Sequence, residues 1–108
     1  MRRFASLRGR ADFTRLRQRG RRLQTPTLTL YRGDAQPGDP TSLVGITVTK
    51  SIGKAVLRNQ LRRRLAAIVH EALAGSPAMR LLLVARPAAA AASYAALQAD
   101  VTSALRRG

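Results

Sequence analysis

Hydrophobic residues recur along residues 54–74 with the spacing of an amphipathic helix. At about 100° per residue they form one narrow stripe, made of Leu57, Leu61, Leu65, Ile68 and Ala72, with Val69 beside it. The next sector carries Arg58, Asn59, Arg62 and Arg63, whereas Arg64 lies at the opposite edge of the stripe. Gly75 and Pro77 then end the helix. The pattern predicts a helix that packs on a core and presents arginine to water or to a partner.

Two segments before this helix alternate between apolar and polar residues, which is the pattern of half-buried strands. They span residues 23–32 and 42–49, and Pro26 makes residues 21–24 a separate short strand or an edge segment. The turn-forming residues 33–41 separate the two segments. The residues expected to face the core are Leu28, Leu30, Val44, Ile46 and Val48. The residues expected on the other face are Thr27, Thr29, Tyr31, Gly45, Thr47 and Thr49.

The remaining elements lie at the two ends of the chain. Residues 10–19 suit a short helix that Gly20 ends in a left-handed conformation, and the basic residues 1–8 are expected to form a flexible arm. The continuous apolar run in residues 80–86 suits a fully buried strand. Ser93 is a candidate N-cap for a last helix, whose inward face would carry Tyr94, Leu97, Val101 and Leu105.

The order of these elements, α-β-β-β-α-β-α, predicts an α+β fold. We expect a two-layer α/β sandwich with a mixed sheet of about four strands and helices on one or both faces, in a single domain of residues 1–108. The absence of cysteine excludes disulfides, thiol nucleophiles and thiolate metal sites. Because no apolar run could span a bilayer and no secretory signal is present, a cytoplasmic location is expected.

The net charge of the chain indicates which class of molecule it binds. Twenty lysines and arginines against five acidic residues give a net charge of +15 and a pI near 12.0. So much charge of one sign destabilises the compact state unless a polyanion offsets it, and nucleic acid is the commonest such partner. A solvated basic surface without a specific partner is one alternative. An anionic membrane is another, and it is disfavoured because the basic helix has a narrow apolar stripe without Trp or Phe.

The sequence offers no convincing catalytic or metal-binding group. The acidic residues are scattered over loops and different helices: Asp12, Asp34, Asp39, Glu71 and Asp100. His70 and Glu71 are neighbours, but adjacent helix positions diverge by about 100° and would not converge on one substrate atom. Residues 50–53 contain one glycine, whereas a phosphate-binding loop needs two and a following Lys-Ser or Lys-Thr. If the protein serves an enzyme, another molecule is expected to supply the chemistry.

The centre of the chain carries its most specific motif. Residues 45–50 read Gly-Ile-Thr-Val-Thr-Lys and residues 52–59 read Ile-Gly-Lys-Ala-Val-Leu-Arg-Asn, ahead of Arg62 and Arg63. This arrangement resembles the signature of the protein subunit of bacterial ribonuclease P, in which a strand ending in Ser/Thr-Lys leads to Gly-x-Ala-Val-x-Arg-Asn-x-x-Lys/Arg-Arg on a helix. Other segments fall in the family's order and spacing: Phe13 ahead of Gly20 and Arg21, residues 28–31, residues 85–87, and Ser93 and Tyr94 ahead of Leu97.

The chain departs from the family pattern at four places. Ser51 replaces a common lysine, and Gln60 replaces a third basic residue. Ala66 and Ala67 replace a basic and acidic pair, and Arg17 stands where a second aromatic is frequent. The resemblance nevertheless covers nearly the whole chain.

The resemblance implies a fold like that of the second domain of ribosomal protein S5. It also implies a small basic cofactor of a catalytic RNA that removes the 5′ leader from precursor tRNA by endonucleolytic cleavage, with Mg²⁺ held mainly by the RNA. The residues implied to bind the catalytic RNA are Lys54, Arg58, Asn59, Arg62 and Arg63. The residues implied to bind the leader are Phe13, Arg17, Thr29, Tyr31, Thr47 and Lys50. The expected partners are the catalytic RNA and precursor tRNA, with no obligate protein partner and no membrane.

Several alternatives stay open from the sequence. Phe13 suits a core anchor as well as a stacking platform for a base. The whole chain suits a structural RNA-binding protein of ribosomal type, which would not need a surface for a leader. An independent nuclease using His70 and Glu71, and a duplex-DNA-binding protein using the arginine helix, are the other two.

Overall fold

A five-stranded mixed sheet lies at the centre of the structure, a computed structural model that describes residues 4–7 and 9–107. The strands are β1 (Phe4–Ser6), β2 (Arg21–Gln24), β3 (Leu28–Asp34), β4 (Ser42–Thr47) and β5 (Met79–Ala85). The helices are α1 (Arg10–Arg19), α2 (Ala55–Ala72) and α3 (Tyr94–Arg107). Short 3-10 turns occupy Lys50–Ile52 and Pro87–Ala91. The three predicted helices are therefore confirmed, as are the strands built from the alternating and the continuous apolar segments.

The strand order is β1-β4-β5-β3-β2. Strand β4 is parallel to both β1 and β5, whereas β3 is antiparallel to β5 and to β2. Helix α2 forms the crossover between the parallel neighbours β4 and β5. Because β5 lies in the middle of the sheet and is covered on both faces, Leu81, Leu82 and Leu83 are all fully buried. This position explains why the sequence of β5 is continuously apolar rather than alternating.

Helices α2 and α3 pack together on one face of the sheet and form the main core. The predicted stripe of α2 faces inward through Leu61, Leu65 and Ile68, and Val69 joins them. Its partners on the sheet include Leu28, Leu30, Val44, Val48, Leu81 and Leu83. The Ser93 hydroxyl accepts a hydrogen bond of 3.1 Å from the amide of Ala96, as predicted for the cap of α3.

Helix α1 packs on the opposite face of the sheet, where Leu16, Leu7 and Leu82 form a second, smaller cluster. The helix ends at Gly20 as predicted, but the predicted left-handed stop is wrong: Gly20 has φ −70° and ψ 156°, which is extended backbone. The glycine is needed for space instead. A Cβ at this position would collide with the carbonyl oxygen of Leu16 and lie 3.1 Å from that of Arg32.

The predicted flexible arm is wrong for Phe4–Ser6, which form the edge strand β1. Phe4 pairs with Ser42 and Ser6 with Val44, and the Leu7 amide donates a 3.0 Å hydrogen bond to the Val44 carbonyl. An edge of β4 would otherwise present unpaired amides and carbonyls, and β1 satisfies them. The sheet consequently has five strands rather than about four, while residues 1–3 and 8 of the predicted arm lie outside the described residues.

The predicted position of Thr27, on the sheet face with Thr29 and Tyr31, is also wrong. Its amide donates a 3.1 Å hydrogen bond to Asp100 on α3, and its hydroxyl donates to the same carboxylate. Thr27 is therefore buried against α3 and takes no part in the opposite face of the sheet. The regular alternation of β3 begins only at Leu28, after the turn through Thr25 and Pro26.

Candidate nucleic-acid interface

The sheet face beneath α1 carries two adjacent rows of side chains. In one row the strand register aligns Gly45, Leu82 and Tyr31, and in the next it aligns Thr47, Val84 and Thr29. Residues paired across neighbouring strands project from the same face. We call these six residues the open face. The open face presents small and hydroxyl-bearing side chains because such residues occupy alternate positions of β3 and β4.

Phe13 of α1 lies directly over the first row. A Cβ built on Gly45 would be 3.0 and 3.1 Å from two ring carbons of Phe13, Cε1 and Cζ, and 3.3 Å from a methyl carbon of Leu82. The absence of a side chain at Gly45 therefore makes room for the ring. Phe13 and Tyr31 are both half-buried and pack against the cluster of Leu7, Leu16 and Leu82, so each keeps part of its ring accessible.

The structure brings most of the predicted leader-binding residues together. Phe13, Thr29, Tyr31 and Thr47 share the face under α1, although Thr29 is only 9% exposed and offers little contact area. Arg17 is exposed one turn beyond Phe13, on the same side of α1. Lys50 is exposed in the 3-10 turn that follows β4. These two cations lie on different elements, Arg17 on α1 and Lys50 in the turn three residues after Thr47.

The predicted arginine cluster forms on α2. We call it the arginine sector, and it consists of Arg58, Asn59, Arg62 and Arg63. Arg62 donates hydrogen bonds to the Asn59 side chain at 3.0 Å and to the Val48 carbonyl at 3.3 Å, which fixes its fork beside the end of β4. Arg58 is half-buried, and its Nε is buried without a hydrogen-bond partner among the described residues. Arg63 is exposed, as is Lys54 at the N-cap of α2.

The open face and the arginine sector adjoin each other. Thr47 ends β4, the Lys50–Ile52 turn follows, and α2 begins at Ala55. The hydrogen bond from Arg62 to Val48 ties the sector to this same end of the strand. A polyanion could therefore contact both surfaces without crossing an acidic region, since the segment from Thr47 of the open face to Lys54 at the start of α2 contains no acidic residue.

Two apolar side chains at these surfaces are not among the residues predicted from the sequence. Val84 is half-buried between Thr47 and Thr29, and it was hidden in the continuous apolar run of β5. Val56 is 81% exposed, and a spacing of seven residues places it within about 20° of Arg63 around α2. Exposure of an apolar residue beside the arginine sector is a signal that only the structure supplies.

Most of the positive charge in residues 4–7 and 9–107 has no acidic partner. Within the part of the chain that the structure describes, the ion pair is Arg80 with Asp39, at 2.8 Å. The Thr41 amide and then the Arg80 guanidinium hold the pKa of Asp39 below its ordinary value of 3.8. Because this pair joins one cation to one anion, it leaves the net charge of +15 unchanged, and the surface retains the strong attraction for polyanions that the composition predicts.

The described residues do not assemble a metal site of protein ligands. Among residues 4–7 and 9–107, no group of three or more His, Asp or Glu side chains comes together. His70 is half-buried on α2 and Glu71 beside it is exposed. In the same residues, none of the helices is long and apolar enough to cross a membrane.

Gly45→Ala tests the contact between α1 and the open face. The added methyl group would lie 3.0 Å from the Phe13 ring, closer than ordinary van der Waals contact, so we expect α1 to shift and the free energy of unfolding to fall by about 1–3 kcal/mol. Denaturant unfolding measures the loss. The double variant with Phe13→Leu should lose less than the sum of the two single variants. Additive losses would contradict the contact.

Comparison with known proteins identifies the family. The family model described as Ribonuclease P matches residues 1–108. The ribonuclease P protein component of Acidothermus cellulolyticus is 40% identical over 102 residues, which cover 94% of this chain and 85% of the relative. That of Thermobifida fusca is 38% identical over 107 residues, covering 93% of this chain and 73% of the relative.

Solved structures give the same fold. The RNase P protein of Staphylococcus aureus superposes with a TM-score of 0.84 at 22% identity, covering 94% of this chain and 93% of that one. The protein from Thermotoga maritima superposes with a TM-score of 0.83, also at 22% identity, covering 94% and 98%. The α+β fold expected from the sequence is confirmed, and so is the resemblance carried by the central motif. The chain belongs to the ribonuclease P protein family.

Proposed function

We propose that this chain, a subunit of the ribonuclease P endoribonuclease, binds the 5′ leader of precursor tRNA on its open face and the catalytic RNA through its arginine sector. The observation that carries this proposal is the placement of Phe13 over Gly45, on the cluster that Tyr31 also contacts, at a threonine-bearing surface that adjoins the arginine sector. Ribonuclease P protein components work with an RNA subunit, so two RNA-binding surfaces in contact with each other suit the assembly.

The open face suits a single-stranded leader better than a duplex. Unpaired bases stack on aromatic side chains, and the accessible parts of Phe13 and Tyr31 provide two such rings within one region. The Thr47 hydroxyl can bond to a sugar or a phosphate, and Val84 beside it gives an apolar floor. Arg17 and Lys50 would neutralise leader phosphates.

The arginine sector suits a folded RNA with closely spaced phosphates. The fork of Arg62 is already oriented by Asn59 and Val48, so it loses little side-chain freedom on binding. Arg63 and Lys54 are exposed and can reach separate phosphates. Arg58 lies between the core and this surface, and the outer nitrogens of its guanidinium would complete the contact.

The proposal assigns metal-dependent chemistry to the RNA subunit. Mg²⁺ would be held mainly by RNA phosphates, since this ion prefers oxygen ligands and keeps several of its waters. The protein would act by neutralising phosphates that otherwise repel one another, and by holding the leader of the precursor tRNA. A cytoplasmic location is part of the proposal, since precursor tRNA is made there.

Single-turnover cleavage of a precursor tRNA by a bacterial ribonuclease P RNA at low Mg²⁺ tests this function. Because the protein would lower repulsion between the RNAs, we expect it to restore cleavage that the RNA alone loses, with no cleavage by the protein alone. The matched control is a precursor whose leader is shortened to one nucleotide, for which the gain should be smaller. Equal gain with both substrates would contradict a leader-binding role, and cleavage by the protein alone would contradict catalysis by RNA.

A further inference from the structure

Helix α1 divides the sheet face beneath it into two grooves. Phe13 and Arg17 lie on the side of the open face, whereas Arg15 and Arg19 lie on the other side of the helix. On that other side is a cavity of about 380 Å³. None of the six residues of the open face lines it, so the cavity is a separate site.

The cavity has an apolar floor. Leu7 and Leu16 are each 6% exposed, and Leu43 is half-buried beside them. Gly33 makes room for this floor, because a Cβ at that position would lie 2.9 Å from a methyl carbon of Leu16. The volume falls in the range of about 300–1,000 Å³ that is typical of small-ligand sites.

The polar wall of the cavity contains one side chain that is held by hydrogen bonds and others that have no partner among the described residues. Arg80 donates to the Thr41 carbonyl at 2.8 Å and pairs with Asp39 at 2.8 Å, so its guanidinium is already committed. Arg15, Arg19 and Asp34 are exposed at the cavity, and no hydrogen bond or ion pair among the described residues engages them. Two cations, Arg15 and Arg19, and two carboxylates, Asp34 and the half-buried Asp12, therefore face the apolar floor without a partner among the described residues.

We propose that this second groove binds one unstacked nucleotide whose base carries an exocyclic amino group. The base would lie on Leu16 and Leu43, with its amino group donating to the Asp34 carboxylate, as Asp accepts from the N4 amino group of cytosine. The phosphate would accept hydrogen bonds from Arg15 and Arg19. An inorganic anion would leave the leucine floor uncovered, and an uncharged apolar ligand would leave both arginines and the carboxylate unused.

The same chemistry could come from a free nucleotide or from a nucleotide within an RNA chain. The inference does not rest on leader binding, because the residues that line this groove are distinct from those of the open face. The site can therefore exist whether or not the open face takes the leader.

Titration of the ¹⁵N-labelled protein with CMP, UMP and inorganic phosphate at constant ionic strength tests the site. We expect CMP to move the amide signals of Gly33 and Leu43 saturably and to bind at least about fivefold more tightly than UMP, which has a carbonyl in place of the amino group. Inorganic phosphate should leave the Leu43 signal in place. Equal effects of phosphate and CMP, equal affinity for CMP and UMP, or shifts confined to Gly45 and Thr47 would each overturn the proposal.

Variants separate the site from general charge attraction. Arg15→Ala should weaken CMP binding about tenfold, whereas Arg106→Ala removes the same charge from α3, on the other face of the sheet, and should weaken it much less. Asp34→Asn should bring the affinities for CMP and UMP together. Equal losses in the two arginine variants would overturn the site.

Binding of a trinucleotide with a central cytidine distinguishes a free nucleotide from a nucleotide within an RNA chain as the natural ligand. Tighter binding than CMP identifies an RNA chain as the ligand, and weaker binding identifies a free nucleotide. Either result supports the site, provided that the signals of Gly33 and Leu43 are the ones that move.

Discussion

Phe13→Ala is expected to weaken binding of precursor tRNA by about 1–3 kcal/mol, which is the range for loss of one base stacked on an aromatic ring. Binding of mature tRNA, which has no leader, should change little. The expectation follows from the position of the half-buried ring over Gly45, packed against the same small cluster as Tyr31. Equilibrium binding of the two tRNAs to the holoenzyme, assembled with wild-type or variant protein, measures the difference.

The control must separate stacking from packing, because Phe13 also contacts the cluster of Leu7, Leu16 and Leu82. Phe13→Leu keeps an apolar side chain on this cluster but removes the ring. If leader binding needs the ring, Phe13→Leu will recover most of the thermal stability lost in Phe13→Ala and little of the affinity. Recovery of both would show that Phe13 is a core anchor and would contradict its role in leader binding.

The sequence predicted the helices well because each has a long periodic signal and a clear boundary. The stripe of α2, the cap of α3 at Ser93 and the end of α1 at Gly20 all depend on local chemistry that the sequence displays. The predicted conformation of Gly20 was wrong because a glycine can be required where a Cβ would not fit as well as where the backbone has a left-handed φ. Only the approach of the Leu16 and Arg32 carbonyls distinguishes these two reasons.

Strand β1 was missed because three residues are too few for a period, and because its partner is distant in sequence. The open face was predicted in part. The alternation of β3 and β4 placed Thr29, Tyr31 and Thr47 on one face, but the continuous run of β5 could not show that Val84 projects between them. The register of a central strand is a property of the assembled sheet, so the position of Val84 on the open face could not be predicted from the sequence.

The arginine sector was visible in the sequence, whereas its internal bonds were not. Helical spacing placed Arg62 beside Asn59, and the structure confirms that contact at 3.0 Å. The bond from Arg62 to the Val48 carbonyl joins α2 to the end of β4 and depends on how the helix packs on the sheet. For the same reason, the groove lined by Arg15, Arg19 and Asp34 could not be predicted from the sequence.

Arg62→Ala is expected to weaken binding of the catalytic RNA by about 1.5–3 kcal/mol, the range for hydrogen bonds that involve a charged group. The slope of log affinity against log salt should become less steep by about one, because one phosphate contact is lost. Arg62→Lys keeps the charge and loses the fork held by Asn59 and Val48. It should retain the salt slope of the wild type and recover only part of the affinity.

Arg64→Ala is the matched control, because it removes the same charge from the same helix at the opposite edge of the apolar stripe. If the arginine sector docks on the catalytic RNA, this variant should keep the wild-type salt slope. General attraction between a protein of net charge +15 and RNA would instead lower the slope equally in Arg62→Ala and Arg64→Ala. Equal slopes in these two variants would therefore contradict the assignment even if both bind more weakly, since the loss would then depend on net charge and not on position.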